Sequence, residues 1–585
     1  MPLFTNDTFT DTTGTLLENH TGSTGATWTK NPAFSTGSAV ITNANRIRGG
    51  ATNGIYYASG TPASADYDVE ADLFVASVAG AAGLLGRENT AAGTYYLLDY
   101  ETGSTAWKLY AIVNGSTAAS TSFSQTLTVG QTYHVRLAMR GSSITGYVNG
   151  TAVVSLTDSN ITAAGKAGVY FGQADTDSTG FHLDTLTAAT PNVITPSDTN
   201  LLLSPYNWFT DGVGAMQSNN ARASSTLARS NTPGAYAKLN FTASSAGYAT
   251  LLLDTSSLSG ITAANCPTLL VSLDGQAFTT PLLAYATGTT RLTISTNLSP
   301  GSHTLSIIFR GVNLSSTSSM GDRWTTPASC VTITGIELDG KGSASAAPTI
   351  RSKRLLVYGD SITEGADAVG SANANADQDA SQTYAQLLGV ALNAEVGIVG
   401  FSAQGYTVAG YGNIPKLYDT ATPSNSSFDK FYAGITRLIS GKLSPAPDFI
   451  AILMGKNDVG SSDASVTNSV SALITAIRTA APLAQIFVII PFDGTKRSAV
   501  SAGVTNANDP NTHLIDLGTN IQPTLATGGV YTNDSIHPNV RGHAQFSALL
   551  ASSLQSTLNS PGPISTSTGY FAGGSVLLTA GVFQT

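Results

Sequence analysis

Four short segments in the last 240 residues carry side chains that could do chemistry together. Leu355-Leu356-Val357-Tyr358-Gly359-Asp360-Ser361-Ile362-Thr363 places a serine directly after a buried-strand pattern, and in open α/β sheets reactive groups gather at the carboxyl ends of strands. Alone, such a serine reads first as a helix N-cap. Asn533-Asp534-Ser535-Ile536-His537-Pro538 sets a carboxylate and an imidazole three residues apart, with a proline stiffening the exit. On one side of a single turn, the aspartate can hold one ring nitrogen while the other faces outward as a base. Met454-Gly455-Lys456-Asn457-Asp458 ends another apolar run, and an asparagine amide there can donate to a developing oxyanion. Gly400-Phe401-Ser402-Ala403-Gln404-Gly405-Tyr406-Thr407 follows a further strand pattern, and a glycine in it can present its N–H unobstructed.

These segments need a scaffold that brings strand ends together. Arg354–Tyr358, Glu395–Val399, Phe449–Met454, Ile486–Ile490 and His513–Leu517 are continuous apolar runs, as strands buried on both faces require. Between them, Tyr384, Leu387, Leu388, Ala391 and Leu392 repeat at helical spacing, as do Val470, Leu473, Ile474 and Ile477, and Phe546, Leu549, Leu550 and Leu554. Strand–helix alternation predicts an α/β domain with a parallel sheet over residues 350–560.

The residues before 350 read differently. Tyr133, Val135, Leu137 and Met139 alternate with His134, Arg136 and Ala138 as a half-buried strand, and Asn149-Gly150 marks a type I′ hairpin turn. Short strands and Gly/Ser/Asn turns predict one β-sandwich over 1–190 and a second β module over 200–342. Thr190–Ser197 reads as a linker and Gly340–Pro348 as a flexible joint. A β-prone tail is expected at 561–585.

Composition limits the partners. The 585 residues carry 27 Lys/Arg against 36 Asp/Glu, a net charge of −9, with no basic stripe for nucleic acid. Charged residues reach only 11%, so polar surface must come from Ser, Thr, Asn and Gly. No apolar run approaches the ~18 residues of a membrane span. The N-terminus lacks a basic and an apolar region, so no signal peptide is expected. The seven histidines and two cysteines never gather at ligand spacing, so no metal or cofactor is expected. Asp175-Thr176-Asp177 reads as a polar turn, with weak calcium binding as the alternative. Cys266 and Cys330 fit a disulfide or two buried thiols equally.

Taken together, Gly359-Asp360-Ser361-Ile362-Thr363, the glycine of Gly405-Tyr406-Thr407, Gly455-Lys456-Asn457-Asp458 and Asp534-Ser535-Ile536-His537-Pro538 resemble, in order, the four blocks of the SGNH hydrolases, or GDSL esterases. The first β region is similar by pattern to concanavalin A-like or laminin-G-like jelly rolls. The resemblance implies a flavodoxin-like three-layer domain hydrolysing esters without a cofactor. It assigns Ser361 as nucleophile, His537 as general base, Asp534 as its orienting acid, and an oxyanion hole of Ser361 N–H, Gly405 N–H and the Asn457 amide. Asp360 and Asp458 would hold loops, and His513 and His543 would be structural. A β-sandwich preceding such a domain resembles carbohydrate acetylesterases, which implies deacetylation of a polysaccharide. All four tryptophans, Trp28, Trp107, Trp208 and Trp324, lie in the β modules, where they could stack on sugars or fill cores. The polar stretches 370–382 and 411–430 are candidate substrate loops. The alternatives are a phage-tail adhesin, virion-borne and trimeric, whose main role is glycan binding, and a lysophospholipase or thioesterase. Outside a virion, the expected setting is extracellular.

Overall fold

The computed structural model describes residues 3–558 except 32, 34–36, 51, 211–213, 217–224, 245, 282, 284–288, 519–530 and 535, so the expected tail at 561–585 lies outside the described residues. Strand alternation in the first 190 residues resolves into an eight-stranded and a seven-stranded antiparallel sheet, which close face to face over one apolar core. The Asn149-Gly150 turn joins Ser143–Val148 to Thr151–Thr157, with both turn residues at positive φ (49° and 76°), as a type I′ turn requires. The strand Thr132–Arg140 differs from expectation in being buried on both faces. Val135, Leu137 and Met139 fill the sandwich core, while Arg136 and Ala138 are covered from outside by the second module. The Arg136 guanidinium lies between the rings of Tyr147 and Tyr248, at 4.1 and 4.5 Å. Beside it, Arg140 donates to Asp68 at 2.8 Å, Glu337 at 3.1 Å and the Tyr248 hydroxyl at 2.7 Å. A charged and aromatic joint therefore fixes the first module to the second.

The second module is another two-sheet sandwich with its own core. Both expected connectors are built into it. Asn192–Ile194 pairs with Val331–Leu338, and Ser343–Ala344 pairs with Tyr236–Ala243. Their backbone groups are taken up by strand ladders, so neither segment is a flexible link. Cys266 and Cys330 are two buried thiols, hydrogen-bonded to the Thr262 and Pro327 carbonyls. All four tryptophans are buried, between 0% and 5% exposed, with each indole N–H satisfied internally. Sugar stacking on them is thereby excluded. At the proposed polar turn, Asp177 pairs with Arg48 at 2.8 Å and Asp175 accepts from Gln173 at 2.6 Å.

The remaining elements form an α/β domain. Its strands are β1 (Lys353–Gly359), β2 (Ala394–Gly400), β3 (Phe449–Leu453), β4 (Gln485–Ile489) and β5 (Thr512–Ile515). They lie in the order β2-β1-β3-β4-β5, all parallel, which is a doubly wound arrangement with its switch point between β1 and β3. The helices are α1 (Ser361–Glu364), α2 (Tyr384–Ala391), α3 (Asp463–Ala480), α4 (Arg497–Ala507) and α5 (Val540–Thr557). The three apolar stripes read from sequence fall on α2, α3 and α5, whereas α4 has a weaker apolar face and gave no such signal. No helix among the described residues is long and apolar enough to cross a membrane.

Edge strand β2 is closed by the second module instead of a sixth strand. The Asn207 amide donates to the Ile398 carbonyl at 2.6 Å and its oxygen accepts from Ile398 N–H at 3.2 Å. Gly397 lets Pro205 approach, since a Cβ there would stand 2.3 Å from the Pro205 carbonyl oxygen. Tyr236, Leu270 and Ile308 of the module enter the same apolar cluster as β1, β2 and α2. Both polar loops expected to meet substrate are pinned to this module as well. Arg310 donates to the carbonyls of Asn375 and Ala376, and Trp324 to Asn425.

The deepest contact across this boundary is an ion pair. Arg323 donates to Glu364 at 2.6 Å, and both side chains are 1% exposed. Removing one member of such a pair costs ~3–5 kcal/mol, because the other charge stays buried. Arg323→Met should therefore lower the unfolding free energy from urea titration by an amount near that figure, with a smaller loss for Arg323→Met combined with Glu364→Gln. A change below ~1 kcal/mol in the single variant would mean that the pair does not hold the boundary.

Candidate active site

Asp360 follows β1 and caps α1, its carboxylate accepting the Ile362 N–H at 3.0 Å. The cap turns the chain sharply, so that Ser361 opens a single helical turn and stands, half-buried, at the carboxyl end of β1. That turn stops at Gly365, whose φ of 91° is left-handed and whose absent Cβ would sit 2.7 Å from Ala380 N. Only glycine fits there without displacing the neighbouring backbone. Among the described residues no acceptor meets the Ser361 N–H, as expected for a first-turn amide.

The opposing wall is one tight turn. Thr532 bridges to Pro538, and Asp534 Oδ1 accepts the backbone N–H groups of Ile536 at 2.9 Å and His537 at 2.7 Å. Asp534 Oδ2 stands 2.6 Å from His537 Nδ1, and His537 Nε2 stands 2.8 Å from Ser361 Oγ. Sequence reasoning placed these three residues in two blocks 176 residues apart, and the fold brings them into one hydrogen-bonded line.

Electrostatics fixes the direction of that line. Burial opposes the Asp534 charge, but the hydrogen bond and charge of His537 and two backbone N–H groups outweigh it and hold the carboxyl at about 2. An ionised carboxylate only accepts, so His537 Nδ1 is the donor and neutral Nε2 carries the lone pair toward Ser361 O–H. Burial likewise pushes the His537 imidazolium down. The hydrogen bond and charge of Asp534, with Asp367 and Asp360 behind, reverse this and leave its pKa above the ordinary 6.5. The ring can thus accept a proton from the serine and hold it.

Around this line the other predicted residues take distinct places. Asp458 is fully buried and accepts the N–H groups of Tyr406 and Thr407, each at 2.8 Å, and the Thr407 hydroxyl at 2.5 Å. It shapes the loop after β2, as expected. Gly405 differs from expectation: its N–H donates to the Val408 carbonyl at 2.9 Å inside its own turn. Its one hydrogen is held inside the loop by that bond. Its requirement for glycine is steric, since a Cβ would lie 2.6 Å from the Asp458 carboxylate. The Asn457 amide donates to the Gln404 carbonyl at 2.9 Å and, with longer reach, to Asp360 Oδ2 at 3.3 Å. Burial raises Asp360 to about 6. His543 accepts from Tyr384 N–H and is held down at about 3 by burial, and His513 of β5 bonds Gln485 of β4, so neither reaches the serine.

Two carboxylates that sequence reasoning missed complete the site. Glu364, the last residue of α1, accepts from Arg323 and also from Ser402 N–H at 2.8 Å and Ser402 Oγ at 2.7 Å. Its place in the first block was the available signal. Asp367 lies 3.9 Å from His537 Nδ1 and is fully buried. Nothing in its spacing marked it.

The GDSL-like lipase/acylhydrolase family model matches residues 357–545. No curated protein sequence matches the chain. Among solved structures, a family two carbohydrate esterase from Clostridium thermocellum in complex with cellohexaose is similar at 19% identity, covering 61% of this chain and 99% of that one, with a TM-score of 0.46. The family two carbohydrate esterase from Cellvibrio japonicus gives 17% identity, 63% and 98% coverage and a TM-score of 0.48. An acetyl xylan esterase from Butyrivibrio proteoclasticus gives 14%, 63%, 98% and 0.45. Residues 357–545 thus make up a GDSL-like lipase/acylhydrolase domain, of the SGNH carboxylic ester hydrolase type.

Proposed function

We propose that the chain removes short acyl groups, foremost acetyl, from a polysaccharide through a Ser361–His537–Asp534 relay. The observation that carries the relay is the unbroken line of 2.6 and 2.8 Å contacts from Asp534 to Ser361. Ser361 Oγ attacks the ester carbonyl carbon as His537 Nε2 takes its proton, and Asp534 stabilises the imidazolium. Collapse of the tetrahedral intermediate breaks the bond from the carbonyl carbon to the sugar oxygen, which leaves as a hydroxyl by taking that proton, and an acyl-serine remains. Water then repeats the sequence, with His537 again as base, and releases the carboxylic acid and free Ser361. The oxyanion takes the uncommitted Ser361 N–H. It also takes one Asn457 hydrogen, released from the longer contact to Asp360. A donor of this kind is worth ~3 kcal/mol.

A hydroxyl-rich substrate is supported by the polar segments that border α1, including exposed Asn533 and the Asn/Asp-rich 370–382. A second reading has its own observation. Val369, Val459 and Ile536 are 44%, 67% and 48% exposed, and each adjoins a site segment, which would suit a longer acyl chain.

Hydrolysis of p-nitrophenyl acetate and octanoate distinguishes these readings. Acetate turnover should exceed octanoate turnover, and Ser361→Ala should lower kcat by at least ~10⁴-fold while the protein stays folded. Release of acetate from an acetylated polysaccharide such as acetylated xylan should follow. A preference for octanoate would replace the polysaccharide reading with a lipid one, and an active Ser361→Ala would overturn the relay.

Because His537 must be neutral to act as base and its pKa is raised, kcat/KM should climb with pH through a midpoint above 6.5. A midpoint below 6.5 would contradict the charge arrangement behind the ring. Asn457→Ala should cost ~10²–10³-fold in kcat with little change in KM. An equal rise in KM would move Asn457 from transition-state to ground-state binding.

A further inference from the structure

The site holds one more carboxylate than its relay uses. Asp367 Oδ2 is buried and meets no hydrogen-bond donor among the described residues, yet it stands 3.9 Å from His537 Nδ1. Its position is tightly imposed. Asp367 sits at φ 50°, a left-handed conformation that aspartate and asparagine tolerate better than most residues. Its N–H donates to Gln378 Oε1 at 3.2 Å, and its Oδ1 accepts the Asn373 N–H at 2.9 Å. Its carbonyl accepts from Asn533 Nδ2 at 2.9 Å, and the Ala368 carbonyl accepts the Val540 N–H at 3.2 Å. These last two bonds join the loop after α1 to the turn carrying His537. One oxygen of Asp367 is therefore spent on its own loop, while the other is left facing the imidazole edge that Asp534 also addresses.

We propose that Asp367 is a second positioning carboxylate for His537, sharing stabilisation of the imidazolium with Asp534 and accepting the Nδ1 proton bond when Asp534 cannot. The inference rests on His537 being the base of the reaction. Asp534 holds the short bond and sets the ring tautomer. Asp367, at ion-pair distance, adds charge that matters once the ring is protonated. The other groups facing this edge are accounted for. Asp360 lies on the Ser361 side, Asp377 contributes charge to Asp367, and neutral His543 adds none.

Two measurements test this on the full chain. The Asp367→Asn variant keeps an oxygen for Asn373 N–H and tolerates positive φ, so its melting temperature should stay near that of the wild type. Its acidic limb of kcat/KM should move down by about one pH unit, since an opposite charge at this range is lost. In wild-type background it should cost less than about tenfold at pH 8, and in Asp534→Asn background at least about tenfold more than that. Independent, multiplying effects with an unmoved limb would overturn the proposal. The second measurement does not depend on turnover. NMR titration of the His537 ring should give a lower pKa in Asp534→Asn combined with Asp367→Asn than in Asp534→Asn alone, and equal values would show that Asp367 contributes nothing. A failed relay with a raised ring pKa would refute the proposed function while leaving the Asp367 contact standing.

Discussion

A buried carboxylate must be paired, and the way Glu364 is paired organises the rest of the molecule. Its oxygens are divided between two partners: Arg323 from the second β module on one, Ser402 on the other. Glu364 also closes the single turn that begins at Ser361. One side chain thus fastens the Ser361 turn, the loop after β2 and the neighbouring module at a common point. Arg323 extends the contact by donating to the Asn231 carbonyl at 2.9 Å, and its guanidinium lies 4.9 Å from the Phe401 ring. Loosening this point would leave Ser361 on a four-residue helix too short to hold itself.

The same logic explains why the second module cannot be regarded as an appendage. A five-stranded parallel sheet with β2 at its edge exposes unpaired N–H and C=O groups. Asn207 supplies a side-chain substitute for strand pairing at Ile398, and Gly397 gives the Pro205–Tyr206 segment room to lie against the strand. The loops at 370–382 and 411–430 are held from the module's side by Arg310 and Trp324. The geometry of the site is therefore a property of two modules. The first sandwich is attached one step further away, through the Arg136–Arg140 joint.

What could be read from sequence follows from range of interaction. The five strands and the Ser361, Asn457, Asp534 and His537 positions were legible because buried parallel strands are continuous apolar runs and the reactive groups sit at their ends or in one turn. Asp534 and His537 are three residues apart, so their pairing is local. Thr190–Ser197 and Gly340–Pro348 were misread because turn-rich composition marks loops but is blind to a distant strand that pairs with them. The tryptophans stayed open between core and sugar stacking for a related reason. Composition places an indole in a module but does not say whether its N–H finds Gln125 or Asn425 inside. Gly405 was assigned a donor role from its type, while its N–H turned out to be committed three residues on. Asp367 was invisible because its meaning depends on Asn533 and Gln378, both remote in one sense or another from its own block.

The site shows how one fold can separate the tasks of carboxylates by surroundings alone. Asp534, partly solvated and donated to by His537 and two backbone amides, is held at about 2 and stays charged. Asp360, buried with fewer donors, is raised to about 6 and serves as a helix cap. Asp458 spends its oxygens on Tyr406 and Thr407 and becomes part of a loop. Glu364 is neutralised by Arg323. Of these five carboxylates Asp367 alone keeps an oxygen without a donor among the described residues, and that oxygen faces the His537 ring. Negative charge beside an imidazole raises its affinity for a proton. In the proposed reaction the cost is an acidic limb moved upward in pH, which ties rate and pH range to the same buried group.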